Sequence, residues 1–334
     1  MAEYGLFLLK TVTIVLAILI VIGVSAALSM RQKKSDKGHI EISKINDRFR
    51  QYQNLMSGFF VNKATLKQQA KAEKKARKAK EKAGDHSDNN VFVLGFKGDM
   101  QASAVASLRE EVTAILSAPE LPKEVVLRLE SPGGAVHGYG LAASQLVRLK
   151  NKNIPLTVCI DNVAASGGYM MACVADKILA APFAYVGSIG VLAQVPNIHR
   201  LLKKHDVDVE LHTAGEYKQT LTLMGENTKK GREKFKQELG EIHELFKGFV
   251  SENRPNLDIE AVATGEFWLG LEAKKRHLVD DIITSDQYLQ DLSEEATLYE
   301  LSYKVKKTLV ERMGKTASQS MSSAFESVAN RLPF

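Results

Sequence analysis

Cysteine is scarce in this chain, which has only two among 334 residues, and the sequence also lacks metal-ligand patterns. Both cysteines, Cys159 and Cys173, lie in apolar stretches, which favours buried thiols over a disulfide framework or a metal site. No histidine, cysteine and carboxylate spacing typical of a metal centre occurs, and neither does a glycine-rich phosphate loop. The sequence therefore predicts neither a bound metal nor a cofactor.

A basic folded domain is lacking as well, although the formal net charge of the chain is +6. The surplus comes from residues 63–82, which carry nine basic side chains and only two acidic ones. The remainder of the chain is close to neutral. This distribution argues against a nucleic-acid partner, because a nucleic-acid-binding domain carries its positive charge on the folded surface.

Charge is absent from one long stretch, the 20 residues between Lys10 and Arg31. As a helix with a rise of about 1.5 Å per residue, this stretch spans roughly 30 Å, the thickness of the hydrocarbon core of a bilayer. The alternative is a cleaved signal peptide, but the apolar run of such a peptide is usually about 7–15 residues long. We therefore predict a retained transmembrane anchor at about residues 11–30, within an N-terminal segment of residues 1–30.

Three further regions follow from composition. Residues 31–90 are polar and rich in lysine and alanine, which predicts a charged helical stalk that ends in the turn-forming stretch GDHSDNN. Over residues 91–290, short apolar runs alternate with stretches of helical period, which predicts a single α/β domain. Residues 291–334 are predicted to form a C-terminal helical tail.

Within the α/β domain, the period of the apolar residues predicts individual elements. Residues 124–130 are predicted to be a strand and residues 135–150 a helix. Farther along the chain, residues 188–195 and 207–213 are predicted to be strands, and residues 219–250 a long helix.

The first candidate site is the turn LESPGGAVHGYG at residues 129–140, where Gly133 and Gly134 lead from a strand into a helix. Glycines at such a position allow backbone N–H groups to approach a ligand closely, and paired donors there can hold a developing oxyanion. A glycine-rich turn without a ligand is the other interpretation of the same residues. His137 follows the glycines and is the histidine that we keep as an alternative base.

The second candidate is Ser166, in the stretch DNVAASGGYMMACVAD. It begins a predicted helix next to Gly167 and Gly168, and the positive end of a helix dipole favours an alkoxide or its acyl adduct. The stretch does not match the G-x-S-x-G motif of α/β-hydrolases, because Ala164 stands in place of the first glycine. Taken alone, Ser166 is either a nucleophile or a small packing residue.

The third candidate is Lys218, between a predicted strand and a predicted long helix. A lysine acts as a general base only when its amine is neutral, and burial in an apolar pocket favours that form. The segment TLTLMG shortly after Lys218 is largely apolar, so burial is compatible with the sequence. A solvated lysine is the other interpretation.

Four motifs together resemble one known family. They are SPGG at 131–134, DNVAASGGYMMACVAD at 161–176, GSIGV at 187–191 and GEYKQ at 215–219. Their order and spacing resemble the signal peptide peptidase A family of membrane-bound serine–lysine peptidases, and the anchor, stalk and single domain resemble its SohB branch. This resemblance implies an α/β fold of the ClpP/crotonase type, with repeated ββα units behind an N-terminal transmembrane helix and a charged helical stalk.

The resemblance also implies a role for each candidate residue. Ser166 is identified as the nucleophile and Lys218 as the general base of a Ser–Lys dyad that needs no metal. Ser188, in the GSIGV motif, is expected to help hold the lysine amine. The expected oxyanion and substrate-binding donors are Gly133, Gly134 and Gly167.

Substrate, assembly and location are likewise implied. The resemblance predicts hydrolysis of peptide bonds in signal-peptide remnants or membrane-protein fragments, a homo-oligomer, and a single crossing of a bacterial inner membrane. The side of the membrane stays open, because the basic residues that follow the anchor favour a cytoplasmic catalytic domain, whereas the resemblance favours the periplasmic face. Two other functions stay compatible with the sequence: a catalytically silent membrane scaffold of the same fold, and a crotonase-like acyl-CoA enzyme.

Overall fold

The computed structural model of the protein describes residues 12–13, 38–62, 71, 75 and 89–305. The predicted anchor at 11–30 lies outside these residues except for Val12 and Thr13, and residues 306–334 lie outside them as well. Within the part of the chain that the structure describes, no helix is long and apolar enough to cross a bilayer. Of the described residues, 41–62, 71, 75 and 89–302 belong to one compact unit, and 12–13, 38–40 and 303–305 belong to a second one, in which Gly38 lies against the ring of Tyr303.

Helices and strands alternate through the first half of the described chain. Its elements are β1 (His39–Lys44), α1 (Ile45–Phe60), β2 (Asn90–Lys97), α2 (Val105–Leu116), β3 (Glu124–Glu130), α3 (Val136–Lys150), β4 (Leu156–Ile160), β5 (Val163–Ala165), α4 (Gly167–Ala172) and β6 (Lys177–Ala180). The second half contains β7 (Tyr185–Gly187), α5 (His199–Lys204), α6 (Lys229–Asn253), α7 (Ile259–Val262), β8 (Phe267–Leu269), α8 (Gly270–Lys275), β9 (Asp281–Ile282), α9 (Ser285–Glu295) and β10 (Thr297–Lys304).

A seven-stranded sheet forms the centre of the fold, with its strands in the order β1-β10-β2-β3-β4-β6-β9. Every neighbouring pair from β10 to β9 runs parallel. Strands of a parallel sheet read as continuous apolar runs because helices cover both faces. Val125, Val126 and Leu127 of β3 are accordingly fully buried.

Helices lie on both faces of this sheet. On one face α2, α3 and α4 pack in succession, and the ring of Phe96 in β2 lies 6.4 Å from the ring of Tyr139 in α3. On the other face, Ile45 of α1 and Leu289 of α9 join a buried cluster with Val93 of β2. Because successive side chains of a strand point to opposite faces, Val93 and Phe96 contact different helices.

A second, smaller sheet lies at the carboxyl ends of the central strands. Its order is β5-β7-β8, with β5 parallel to β7 and β7 antiparallel to β8. Ser131, the residue after β3, forms an isolated parallel bridge with Ala164 of β5. This bridge connects the end of a central strand to the small sheet, and the candidate site is built around it.

The structure confirms the predicted α/β fold, and the strand predicted at 124–130 is β3. A repeated ββα unit is not confirmed, because β2 and β3 are each followed by a helix without a second strand between them. Residues 297–304, which the sequence analysis assigns to a helical tail, form β10. The buried Leu298 and Leu301 have a helix-like spacing, but the pairing of β10 with β2 makes the segment a strand.

Two strand predictions in the second half are wrong. Residues 188–195 have no regular structure, and the strand of this region is β7, which ends at Gly187. Residues 207–213 have none either, and their apolar side chains are exposed: Val207, Val209 and Leu211. Alternating apolar residues predict a strand with one buried face, but no strand of the described residues pairs with this segment. The helix predicted at 219–250 begins later, at Lys229.

Candidate active site

Three chain segments meet at Ser166. Ser131 exchanges two backbone hydrogen bonds with β5: its N–H donates to Val163 O at 2.8 Å, and its carbonyl accepts from Ala165 N at 3.0 Å. The N–H of Ser166 donates to Gly187 O, at the end of β7, at 2.8 Å. The carboxyl ends of β3, β5 and β7 therefore come together, and ligand sites of α/β folds usually lie at such an edge.

Ser166 has an uncommon backbone conformation, with φ at 52° and ψ at −118°. A positive φ in a residue with a side chain costs about 1–3 kcal/mol, so the surrounding contacts must hold it. The turn leads directly from β5 into α4, and Met170 N donates to Ser166 O at 3.0 Å. The side chain is partly exposed, and its Oγ has no hydrogen bond to any described residue. This sharp strand-to-helix turn leaves the hydroxyl accessible, as in the nucleophile elbow of hydrolases.

Gly133 packs so closely against Ser166 that no residue with a side chain fits there. Its φ is 90°, and a Cβ atom would lie 2.7 Å from both Ala165 O and Ser166 Cβ and 2.9 Å from Gly167 N. Gly134 makes a similarly close approach to the backbone of Met100. The structure therefore brings together Gly133, Ser166 and Gly167, although they come from two turns that are far apart in the sequence.

The backbone donors near Ser166 are not equivalent. The N–H of Gly133 donates to Ser131 Oγ at 3.1 Å and is therefore already paired. The N–H groups of Gly134 and Gly167 have no acceptor among the described residues. Of the three donors that the sequence predicts, Gly134 and Gly167 are thus the two that remain available to an oxyanion.

A buried chain of hydrogen bonds supports the glycine turn. The Ser131 hydroxyl accepts from Gly133 N and lies 2.6 Å from Tyr139 Oη, which in turn donates to Asp99 O at 2.8 Å. Since the Tyr139 proton goes to Asp99, the Ser131 proton must go to Tyr139 Oη. Ser131 and Tyr139 are fully buried, and burial raises the pKa of the Tyr139 hydroxyl. The three hydrogen bonds therefore run in one direction, from Gly133 N through the two hydroxyls to the Asp99 carbonyl, and each of these four groups has a partner.

The sequence analysis did not identify the loop whose Asp99 carbonyl accepts the last of these hydrogen bonds. Hydrogen bonds from Ser103, first from its hydroxyl and then from its N–H, hold the pKa of the Asp99 carboxyl below its usual value. These bonds close a turn in which Met100 O also accepts from Ala135 N at 2.8 Å. The stretch GDM at 98–100 signals a turn, but nothing local in the sequence indicates that it contacts residue 135.

We expect Tyr139→Phe to lower the free energy of unfolding by about 1–3 kcal/mol, because the buried Ser131 hydroxyl loses the acceptor of its proton. Thermal unfolding of the full chain measures the effect. Tyr185→Phe is the matched control, since the Tyr185 hydroxyl is exposed and has no hydrogen bond to any described residue. The control should change stability by less than about 0.5 kcal/mol. Equal effects of both variants would contradict a supporting role for the buried chain.

We expect Gly133→Ala to lower the free energy of unfolding by about 1–3 kcal/mol, because it combines a positive φ with contacts that only a backbone shift relieves. Gly140→Ala is the matched control: Gly140 lies in α3, and a Cβ there meets nothing within 4 Å. Alanine is favoured over glycine inside a helix by roughly 0.5–1 kcal/mol, so the control should be neutral or stabilising. Denaturant unfolding of both variants tests the prediction. An unchanged free energy of unfolding for Gly133→Ala would contradict it, because the turn would then have accommodated a side chain at little cost.

Lys218 makes no hydrogen bond to the residues around Ser166. Its side chain is exposed, and its only hydrogen bond to a described residue runs from its backbone N–H to Gly215 O at 3.2 Å. Glu216, two residues before Lys218, forms an ion pair with Lys230, which ties the segment to the first turn of α6. The structure therefore does not join the Lys218 amine to Ser166 within a single chain.

Ser188 and the histidines have other partners. The Oγ of Ser188 donates to Gly265 O at 3.3 Å rather than contacting a lysine. His137 is exposed on α3 and has no hydrogen bond to any described residue. His243 of α6, which the sequence analysis did not single out, lies with Nε2 3.3 Å from Ile189 O, beside the GSIGV motif.

The cysteines confirm the prediction of buried thiols. Cys159 and Cys173 are both unpaired and buried, and burial raises the pKa of each thiol to about 12. They therefore stay protonated and are poor nucleophiles. Among the described residues no group of three or more potential metal ligands occurs.

Comparisons with known proteins identify the family of the chain. Residues 1–146 match the family model described as peptidase family S49 N-terminal, and residues 148–299 match the one described as peptidase family S49. The chain is 52% identical over 329 residues to "Probable protease SohB" of Haemophilus influenzae, which covers 95% of this chain and 93% of that protein. It is 55% identical over 232 residues to "Probable protease SohB" of Buchnera aphidicola subsp. Acyrthosiphon pisum, over 70% of this chain and 69% of that one.

Among solved structures, the chain matches a mutant of the 1510-N membrane-bound stomatin-specific protease. That match has a TM-score of 0.40 and 14% sequence identity, and it covers 61% of this chain and 84% of the other. The sequence relatives carry the assignment. The chain belongs to peptidase family S49, within the group formed by signal peptide peptidase A and SohB.

Proposed function

We propose that this chain is a membrane-anchored serine endopeptidase with Ser166 as its nucleophile and Lys218 as its general base. One observation carries the proposal. An accessible hydroxyl, on a residue held at positive φ, lies between two turns whose Gly134 and Gly167 N–H groups have no acceptor among the described residues. A structural serine needs neither the strained backbone nor the unpaired donors beside it.

The proposed reaction proceeds through an acyl-enzyme. Neutral Lys218 takes the proton of Ser166 Oγ while this oxygen attacks the carbonyl carbon of a peptide bond. The N–H groups of Gly134 and Gly167 stabilise the negative charge that develops on the carbonyl oxygen, where one such donor contributes about 10²–10³ in rate. The C–N bond then breaks, and the lysine passes its proton to the leaving amine. In the second half, a water gives a proton to the lysine and attacks the ester carbonyl; the ester C–O bond then breaks, the lysine returns the proton to Ser166 Oγ, and the acid is released.

The proposal includes a homo-oligomer, because the single chain leaves Lys218 exposed. Residues 192–224, the segment that contains Lys218, present nine large apolar side chains to solvent: Leu192, Val195, Leu201, Val207, Val209, Leu211, Tyr217, Leu223 and Met224. A monomer rarely exposes so extensive an apolar set, whereas an interface between copies buries one. Assembly would desolvate the Lys218 amine, which favours its neutral form.

The proposed substrates are extended, apolar peptides such as signal-peptide remnants or membrane-protein fragments. Tyr185 of β7 and Phe267 of β8 support this choice, since their rings meet edge to face at 4.9 Å and both remain exposed. They lie on the small sheet whose Gly187 is bonded to Ser166. An apolar peptide could bury its side chains on this surface. We further propose a bacterial inner membrane location with the catalytic domain on the periplasmic face.

The test combines covalent labelling with hydrolysis. The full chain in detergent is treated with a fluorophosphonate, the modified residue is located by mass spectrometry, and a panel of short apolar peptides is assayed in parallel. We expect the label on Ser166 and cleavage of peptides that the label abolishes. No labelling and no cleavage would indicate a silent scaffold, and turnover of an acyl-CoA thioester without peptide cleavage would indicate a crotonase-like enzyme.

A further inference from the structure

Helix α1 exposes an apolar face that the fold does not use. Only its first turns dock on the sheet, where Ile45 and Asn46 are buried and Phe49 packs against the core. From Tyr52 onwards the large apolar side chains of the helix are exposed; Tyr52 and Met56 line an open cavity with Arg128 and Glu294, whereas Phe59 and Phe60 do not line it. The exposed fractions are 56% for Tyr52, 58% for Leu55, 56% for Met56, 85% for Phe59 and 81% for Phe60. These five residues are called the α1 apolar face.

The α1 apolar face is a single stripe. Its members occur at i, i+3, i+4, i+7 and i+8, which places them on one side of a helix with 3.6 residues per turn. The opposite side carries polar side chains, among them Asp47, Arg50, Asn54 and Ser57. An amphipathic helix that is anchored at one end and exposed along its length has the form of a docking element.

The joint between α1 and the sheet is firm. The Nδ2 of Asn46 donates to Ser293 O and Ala296 O, both at 3.0 Å, and its Oδ1 accepts from Leu298 N at 2.8 Å. All three hydrogen bonds of this buried amide thus go to residues 293–298, from the last turn of α9 to the start of β10. The position of α1, and of any surface that binds its apolar face, is therefore fixed relative to the central sheet.

The charge of the neighbouring sequence indicates what covers this face. The chain continues from α1 into residues 63–82, with nine basic side chains and two acidic ones, so an occupant of negative charge is favoured. A second copy would bring the same positive surplus. Residues 306–334 carry five basic and two acidic side chains and would repel it too. Charge complementarity therefore argues against both of these occupants.

Chain length adds a second argument. The uncharged residues 11–30 end 15 residues before α1 begins, and a connection of that length reaches at most about 50 Å. We infer that the α1 apolar face docks on the surface of an anionic lipid bilayer, with Tyr52, Phe59 and Phe60 at the boundary between head groups and acyl chains. This inference goes beyond the proposed peptidase: it draws on the predicted anchor but not on the chemistry of Ser166.

The experiment uses the full chain reconstituted into vesicles of phosphatidylcholine, with or without phosphatidylglycerol. An environment-sensitive fluorophore is attached to Phe60→Cys, and Asn54→Cys on the polar side of the same helix is the matched control. Both native cysteines are buried, so labelling is directed to the new thiol. A spin label on the lipid acyl chains serves as the quencher.

We expect quenching at residue 60 in phosphatidylglycerol vesicles, much less in phosphatidylcholine alone, and none at residue 54. Phe59→Ser should lower the docking equilibrium by about tenfold or more, because burial of one phenylalanine side chain contributes that much. Equal quenching in both lipids overturns the assignment to an anionic surface. A label at residue 60 that stays in water overturns the docking, and so does one that is shielded only at high protein density, since a second copy then covers the face.

Hydrolysis of a short soluble peptide by the same labelled samples separates the two proposals. Quenching at residue 60 in a chain that cleaves nothing leaves lipid docking in place and removes the peptidase. Cleavage without quenching does the reverse.

Discussion

Replacing Ser166 by alanine lowers kcat for a short apolar peptide by about 10⁴-fold or more if its hydroxyl is the nucleophile, because removal of a nucleophile leaves only the contribution of the oxyanion donors and substrate binding. The substitution removes one oxygen that has no hydrogen bond to any described residue. The fold should therefore be unaffected, and the melting temperature should stay the same. Steady-state kinetics on wild type and variant, with thermal unfolding of both, measure the two quantities.

Ser144→Ala is the control for the loss of a serine as such. Ser144 lies exposed on α3, and its Oγ donates only to Gly140 O in the preceding turn. Its removal should leave kcat, KM and fluorophosphonate labelling unchanged. Residual activity of Ser166→Ala above the expected level, with label found on another residue, would move the nucleophile elsewhere and end the assignment of this site.

That Gly133 and Ser166 belong to one site was implied by the family resemblance, and a general rule of α/β folds accounts for their meeting. Each of the two turns follows an apolar strand, and the carboxyl ends of parallel strands meet at the same edge of a sheet. The pattern of apolar residues gave β3 correctly. Ser166 follows β5 of the small sheet, and the bridge between Ala164 and Ser131 brings it to Gly133.

The support of that turn could not be predicted. The hydrogen bond from Tyr139 Oη to Asp99 O joins residues 40 positions apart, and it depends on how α3 packs on the loop after β2. Local sequence predicts that residue 99 begins a turn but not which side chain reaches its carbonyl. Even the pairing of Gly133 N with Ser131 Oγ, two residues away, follows only from the φ of 90° that the packing imposes.

The failure at 207–213 has a different physical cause. The alternation V-D-V-E-L is that of a strand with one buried face, yet Val207, Val209 and Leu211 remain exposed in the single chain. Alternation specifies that a strand needs a partner, but it does not name the partner. The segment that contains Lys218 is therefore also the one whose structure is hardest to predict from a single chain.

Replacing Lys218 by alanine or by arginine is expected to lower kcat by about 10³-fold or more, because a general base that belongs to one catalytic unit is lost in both cases. Arginine keeps the positive charge but does not give up its proton, so it separates proton transfer from charge alone. Lys229→Ala is the control, since Lys229 is exposed at the start of α6 and its removal changes the net charge equally. Steady-state kinetics of the three variants test the assignment, and an active Lys218→Arg would contradict it.

The position of Lys218 makes a mixing experiment decisive. Within one chain its amine is exposed and has no hydrogen bond to Ser166, while the apolar side chains around it are exposed as well. If assembly supplies the base from a neighbouring copy, chains carrying Ser166→Ala and chains carrying Lys218→Ala should regain activity when they are assembled together, since some sites then receive an intact serine and an intact lysine. Each variant assembled alone should stay inactive. A mixture that remains inactive, although crosslinking shows that both chains are present in one assembly, would place both groups in the same chain and require residues 205–228 to rearrange toward Ser166.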